Sequence, residues 1–153
     1  MRFEAKKLVN TSGWFYVSSP FLRFFRTRED GNPLKVHETE RVQKNLNPKW
    51  QQFEVKMQKL CNGDPYRPIR VECWSHKKNG KHQPMGESQF SIQDIRDGKR
   101  EFLIRKNNKN AGSLYLANFA SKANYEFLDY IRGGEELNLI CAIDFTGSNG
   151  VPS

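Results

Sequence analysis

Short alternating apolar runs, each closed by a turn, constrain this chain more than any other feature. Ile69, Val71 and Cys73 share one face of a run whose other face is Arg70, Glu72 and Trp74. That period of two is the signature of a half-buried strand. Comparable runs lie at Pro20–Arg26, Val36–Val42, Trp50–Met57, Met85–Ile92, Phe102–Ile104 and Ser113–Phe119. Between them stand Asp30-Gly31-Asn32-Pro33, Asn47-Pro48, Asn62-Gly63-Asp64-Pro65, Asn79-Gly80, Asp97-Gly98 and Asn107–Gly112. Gly, Pro and Asn are turn residues because they accept or impose backbone angles that others resist. Strands this short, interrupted this regularly, predict an all-β antiparallel sandwich or barrel. Helix signals are thin: one turn at Ser91–Arg96 and a short helix at Tyr125–Ile131.

The C-terminal piece has a different texture. Leu137–Phe145 is apolar except for Asn138 and Asp144, as in a strand covered on both faces of a parallel sheet. Gly133-Gly134 marks a junction before it. The expected organisation is a β domain over 1–123, a linker over 124–136, and a fragment of a second domain over 137–153.

Composition narrows the function classes. The chain has 153 residues and a net charge of +8, a balance that favours acidic partners such as nucleic acid, anionic lipid or acidic protein. The basic residues are spread along the chain rather than gathered on one helix or strand pair, so nucleic acid is not expected. Cys61, Cys73 and Cys141 are odd in number and widely spaced, which reads as free thiols in a reducing, cytoplasmic compartment. No 18-residue apolar run occurs, so membrane contact would be peripheral. Cys61 has no His nearby, Ser18-Ser19 lies on a loop without a plausible base, and no Gly-rich phosphate cradle, HExxH or GxSxG occurs; an enzyme is not expected.

Two segments stand apart from this background. Ser75–Gln83 reads Ser-His-Lys-Lys-Asn-Gly-Lys-His-Gln, with three lysines, two histidines and no carboxylate. Val9–Ser19 also lacks a carboxylate and carries Trp14-Phe15-Tyr16-Val17. Two environments are open to those rings: wedged into a lipid interface, or tucked into the core with the lysines a solvated tip.

Several segments resemble the C2 domain. Ser19-Pro20-Phe21-Leu22 resembles the Ser-Asp-Pro-Phe/Tyr that ends the first C2 loop. Glu38-Thr39 and Asn45-Leu46-Asn47-Pro48-Lys49-Trp50 resemble the KT…LNPxW signature, and Cys73-Trp74 with Met85-Gly86-Glu87 resembles the bracket of the third loop. Phe127–Gly134 and Leu139–Gly150 look like the linker and first A-domain strand of copines. The resemblance implies an eight-stranded C2-type β-sandwich, a linker, and the start of an α/β A domain of the von Willebrand type. A copine would place another C2 domain before Met1 and most of an A domain after Ser153.

The resemblance also implies where a calcium site would lie, and there the sequence departs from it. The aspartates expected in the third loop fall on Ser75, Lys77 and Gln83, and the one before the proline on Ser19. Calcium takes six to eight oxygens and needs several carboxylates aimed at one point. No calcium site is expected here, and no other cofactor. Asp144, Thr146 and Ser148 resemble the start of an A-domain Mg²⁺/Mn²⁺ motif, expected to be unoccupied without the rest of that domain. The phosphoinositide-binding face of some C2 domains would carry Glu38 and Glu40 here, with Arg23, Arg41 and Lys44 nearby. These are expected to be salt-bridged surface.

The expected function is a peripheral module at the plasma membrane. It would bind anionic phospholipid without calcium, through Trp14, Phe15, Tyr16, Lys77, Lys78 and Lys81. The alternative is a protein-interaction domain that contacts a partner or the A domain of its own chain.

Overall fold

A computed structural model describes residues 1–122. The expectations for Tyr125–Ile131, for the apolar run 137–145, for Asp144, Thr146 and Ser148, and for the domain boundary near 123 all lie outside the described residues. Seven strands form an antiparallel sheet: β1 Arg2–Lys6, β2 Pro20–Thr27, β3 Pro33–Glu38, β4 Ile69–Ser75, β5 Gln83–Phe90, β6 Glu101–Lys106 and β7 Lys109–Asn118. Two five-residue helices interrupt them, α1 Met57–Cys61 and α2 Ile92–Arg96. Strand order across the sheet is β1-β7-β6-β5-β4-β2-β3.

The sheet curls back on itself. Phe3 of β1 lies five strands from Phe24 of β2 in that order, yet their rings are 5.4 Å apart. Phe3 also meets Phe90 at 5.7 Å, and Phe90 meets Phe102 at 4.8 Å. One chain of rings therefore joins β1 to β2, β5 and β6 across a shared interior. β5 and β6 pair only at Glu87–Arg105. Leu22, Trp50, Leu60, Ile69, Val71, Met85, Ile92, Ile104 and Leu114 complete the core.

Alternation in β4 matches the sequence reading: Ile69, Val71, Cys73 and Ser75 are buried, while Arg70, Glu72 and Trp74 are half-exposed. Five differences are informative. Among the described residues there are seven strands, not eight. The expected strand beginning at Trp50 is instead a segment laid along the outer edge of β1. It is held by Ala5 N–H to Pro48 O (2.9 Å), Trp50 N–H to Phe3 O (3.0 Å) and Phe53 N–H to Met1 O (2.9 Å), with one bridge at Glu4–Lys49. It covers an edge that would otherwise be open. Its end, Met57, starts α1, which closes on Asn62 and Gly63 with positive φ, the usual way a helix is stopped. Finally, β3 ends at Glu38, and residues 39–48 become a loop, with Thr39 N–H still donating to Leu22 O at 3.0 Å. β1 itself carries only two apolar residues among charged ones, which hid it in the sequence.

The single turn expected at Ser91–Arg96 is α2, started by a reciprocal cap. Asp94 N–H donates to Ser91 Oγ at 3.0 Å, and Ser91 N–H donates to Asp94 Oδ2 at 2.7 Å. The Ser91 N–H bond, and a second from Ser91 Oγ at 2.9 Å, hold the Asp94 carboxyl below its ordinary range. Ser91→Ala is expected to cost about 1 kcal/mol, read as a fall of roughly 4 °C in Tm by calorimetry.

His37 on β3 stacks on Phe53 with ring centroids 3.8 Å apart. Desolvation, then the charge of Lys59, lowers its pKa. Folding thus favours the neutral ring. The contribution is complete above the unfolded-state pKa of about 6.5 and is lost as pH falls below it through the lowered folded-state pKa. Chemical denaturation of the wild type across pH 7.5 to 5 is expected to show this slope, and His37→Phe to flatten it.

Candidate functional site

Three loops gather at one end of the sheet. Residues 7–19 join β1 to β2, residues 39–48 follow β3, and residues 76–82 join β4 to β5. Backbone bonds tie them together: Asn45 N–H to Ser18 O (3.1 Å), Val42 N–H to Pro20 O (2.9 Å) and His76 N–H to Ser19 O (2.9 Å). Ser19 Oγ accepts from Lys44 N–H at 3.1 Å.

The first loop is folded around Asn10. Its side-chain oxygen accepts from Ser12 N–H (3.1 Å), Ser18 N–H (3.1 Å) and Ser18 Oγ (2.9 Å). Its amide nitrogen donates to Gly13 O (3.0 Å) and Tyr16 O (2.8 Å). One amide thus pins both ends of the 13–16 turn, and the turn projects its rings into solvent. Trp14 is 94% exposed, Phe15 90% and Tyr16 69%. Of the two environments open to these rings, the core is excluded. Single exposed apolar residues are ordinary, but adjacent, nearly fully exposed aromatics mark a contact surface.

The floor between the loops is a hydroxyl network. Ser18 and Ser75 are fully buried. Ser12 Oγ lies 3.2 Å from Ser18 Oγ and 3.3 Å from Ser75 Oγ, and Thr11 N–H donates to Ser18 Oγ at 2.9 Å. Above it, Lys77 Nζ donates to Ser12 Oγ at 3.2 Å. The third loop is a tight hairpin: Gly80 N–H donates to Lys77 O (3.1 Å), Lys81 N–H to Asn79 Oδ1 (3.1 Å), and Lys77 N–H to His82 Nδ1 (3.1 Å). This geometry leaves Lys78 and Lys81 exposed and Lys77 half-buried.

Of the four positions aligned with calcium ligands, Ser75 and Lys77 both reach the network through Ser12. Ser19 faces Lys44, and Gln83 is exposed at the start of β5. The donor set comprises hydroxyls, one amide and an ammonium, with no carboxylate. Glu40, in the loop 39–48, has its Oε1 taken by Gln51 N–H at 2.6 Å. These residues do not fit a calcium ion, which needs anionic oxygens and would face the Lys77 charge. Among the described residues, no group of three or more His, Cys, Asp or Glu could hold a metal.

Sequence reasoning missed Arg41, which it placed with the strand face. The structure puts it at the tip, its Nη1 3.2 Å from His76 Nδ1 and 3.4 Å from Nε2. Of the residues expected as salt-bridged surface, Arg23 and Glu38 pair at 2.8 Å, with Lys35 on Glu38 at 3.0 Å; Glu40, Arg41 and Lys44 enter no ion pair among the described residues. Cys61 and Cys73 are buried free thiols, and burial pushes Cys73 up to about 12, far from a reactive thiolate.

A curled antiparallel sheet with three loops converging at one end is the architecture of the C2 class. The C2 domain family model matches residues 2–105, and the chain belongs to that family. Among solved structures, one described as BON1-C2B shares 27% identity, with 80% of this chain and 89% of that chain covered and a TM-score of 0.66. A C2 domain of plant Extended Synaptotagmin 1 shares 19% identity over 74% of this chain and 84% of that one, with a TM-score of 0.52; that likeness concerns the fold. Among the described residues no helix is long and apolar enough to cross a membrane.

Proposed function

We propose that this C2 domain is a peripheral membrane module that docks its loop tip on anionic phospholipid without calcium. The observation that carries the reading is the pairing, at one end of the sheet, of exposed Trp14, Phe15 and Tyr16 with lysines that enter no ion pair among the described residues. Aromatic rings favour the bilayer interface, and each lysine near an anionic surface contributes roughly 1 kcal/mol. Lys78 and Lys81 supply the attraction. Lys77 contributes its charge from within the cup, where a calcium-dependent relative would place the metal. The copine-like segments of the sequence point to a copine-like protein, and 27% identity to a domain designated C2B supports a second C2 domain; the module is read as non-enzymatic and cytoplasmic, at the plasma membrane.

Liposome co-sedimentation tests it. Vesicles of phosphatidylcholine with phosphatidylserine are expected to bind the chain equally with calcium or with EDTA. Binding should weaken as salt rises, because exposed charges are screened. Lys78→Glu/Lys81→Glu should lower affinity by roughly tenfold or more. Binding that requires calcium, or that ignores this charge reversal, overturns the reading. Tight binding to a protein partner with no vesicle binding would instead select an interaction domain.

A further inference from the structure

The tip holds a second group of basic side chains that lipid docking through the lysines leaves unused. Arg41 comes from the loop 39–48, and His76 and His82 from the loop 76–82. The Arg41 guanidinium touches the His76 ring, the two imidazoles lie 5.0 Å apart, and His82 packs its edge on Phe21 at 5.1 Å. None of the three enters an ion pair among the described residues. Only Nη1 of the guanidinium lies against the imidazole, and no carboxylate among the described residues takes Nε or Nη2, which leaves those two as a fork for an anion.

We propose that Arg41, His76 and His82 form a phosphate site that takes the terminal phosphate of a lipid headgroup, a phosphomonoester in preference to a diester. The proposal rests on tip-first docking, which brings this face to headgroup depth. An arginine fork spans two phosphate oxygens, and the imidazoles would then meet a third. A phosphomonoester offers three such oxygens, whereas a diester has only two outside its ester links.

The surroundings supply the coupling. His76 is held below its ordinary range by desolvation first, then by the charges of Arg41 and His82. Lys77, Lys78 and Lys81 stand on its own loop, and Phe21 is the uncharged neighbour from β2. A bound anion reverses that balance and draws a proton onto His76, which makes both ring nitrogens donors. His82 accepts from Lys77 N–H at Nδ1, which fixes its ring beside His76.

The test uses the full chain and two kinds of vesicle, phosphatidylcholine doped with phosphatidic acid or with phosphatidylglycerol, matched in surface charge. The wild type is expected to prefer phosphatidic acid by roughly tenfold. Arg41→Gln and His76→Gln should bind both vesicles equally, at the phosphatidylglycerol level, with unchanged thermal melting. In NMR titrations, inorganic phosphate should raise the His76 pKa in the wild type and leave it unmoved in Arg41→Gln. Equal binding of both vesicles by the wild type overturns the inference but leaves lipid docking intact. A uniform loss on both vesicles in Arg41→Gln also overturns it, because Arg41 would then be only one more surface charge. A His76 response to free phosphate without a vesicle preference would overturn the lipid source and leave a soluble phosphate as the ligand. If Trp14→Ser/Phe15→Ser ends vesicle binding while the phosphate response persists, the site stands independently of the rings.

Discussion

Replacing Trp14 and Phe15 together by serine is expected to reduce vesicle affinity by roughly a thousandfold while leaving the fold intact. An aromatic side chain can bury about 150–250 Å². If somewhat less than half of that area enters the interface, each ring contributes about 2 kcal/mol at 25 cal/mol per Å², and each 1.4 kcal/mol is tenfold in affinity. Both rings are already almost wholly in water, so their removal takes nothing from the core, and Tm should hold within about 2 °C. The clamp beneath them gives a second arm. Asn10→Ala removes the amide that bonds Gly13 and Tyr16 but keeps both rings. It should weaken docking less than losing the rings does. Tryptophan fluorescence would follow insertion, as a blue shift on vesicle addition in the wild type. Equal affinity of wild type and double variant would sink tip-first docking.

What the sequence disclosed depended on how local each feature was. The inside–outside alternation of β4 is written in consecutive residues, and so were the loop that follows it and the Ser91–Asp94 spacing that starts α2. The edge segment 48–53 looked like a strand because Trp50 and Phe53 are apolar. Its bonds run to Met1, Phe3 and Ala5 at the far N-terminus, a pairing that no local pattern announces. The cup was legible as an absence of carboxylates. Its contents were not, because Lys77 meets Ser12 across 65 residues. Arg41 was misplaced for the same reason: its neighbour, His76, is 35 residues away. The choice between buried and exposed for Trp14–Tyr16 turned on one amide, Asn10, whose reach to Gly13 and Tyr16 has no counterpart in hydrophobic periodicity.

Gly86→Val is expected to destabilise the domain most, by about 3–5 kcal/mol, lowering Tm by about 12–20 °C. Gly86 sits where β5 carries a bulge: Cys73 pairs with Gly86 and Trp74 with Pro84, leaving Met85 as the extra residue. Its φ is 146°, a region that side chains other than hydrogen resist. A Cβ there would lie 2.7 Å from Ile104 Cγ2 and 2.9 Å from the Arg105 backbone oxygen. The isoleucine methyl could turn aside, but the carbonyl belongs to β6, which pairs with β5 only at the next residue, Glu87. The substitution therefore adds backbone strain of about 1–3 kcal/mol to overpacking of similar size, next to the one residue pair that joins β5 to β6. Gly80 is the control. It also has positive φ, at 76°, but nothing lies within 4 Å of a Cβ there. Gly80→Ala should cost only the strain, about 1 kcal/mol. The bulge sets the direction in which β5 leaves the 76–82 hairpin, so a milder Gly86→Ala should reduce vesicle affinity at temperatures where the domain is still folded. Full affinity in a folded Gly86→Ala would mean that the bulge serves the curl alone and that the hairpin finds its place through Ser12, Ser75 and Lys77.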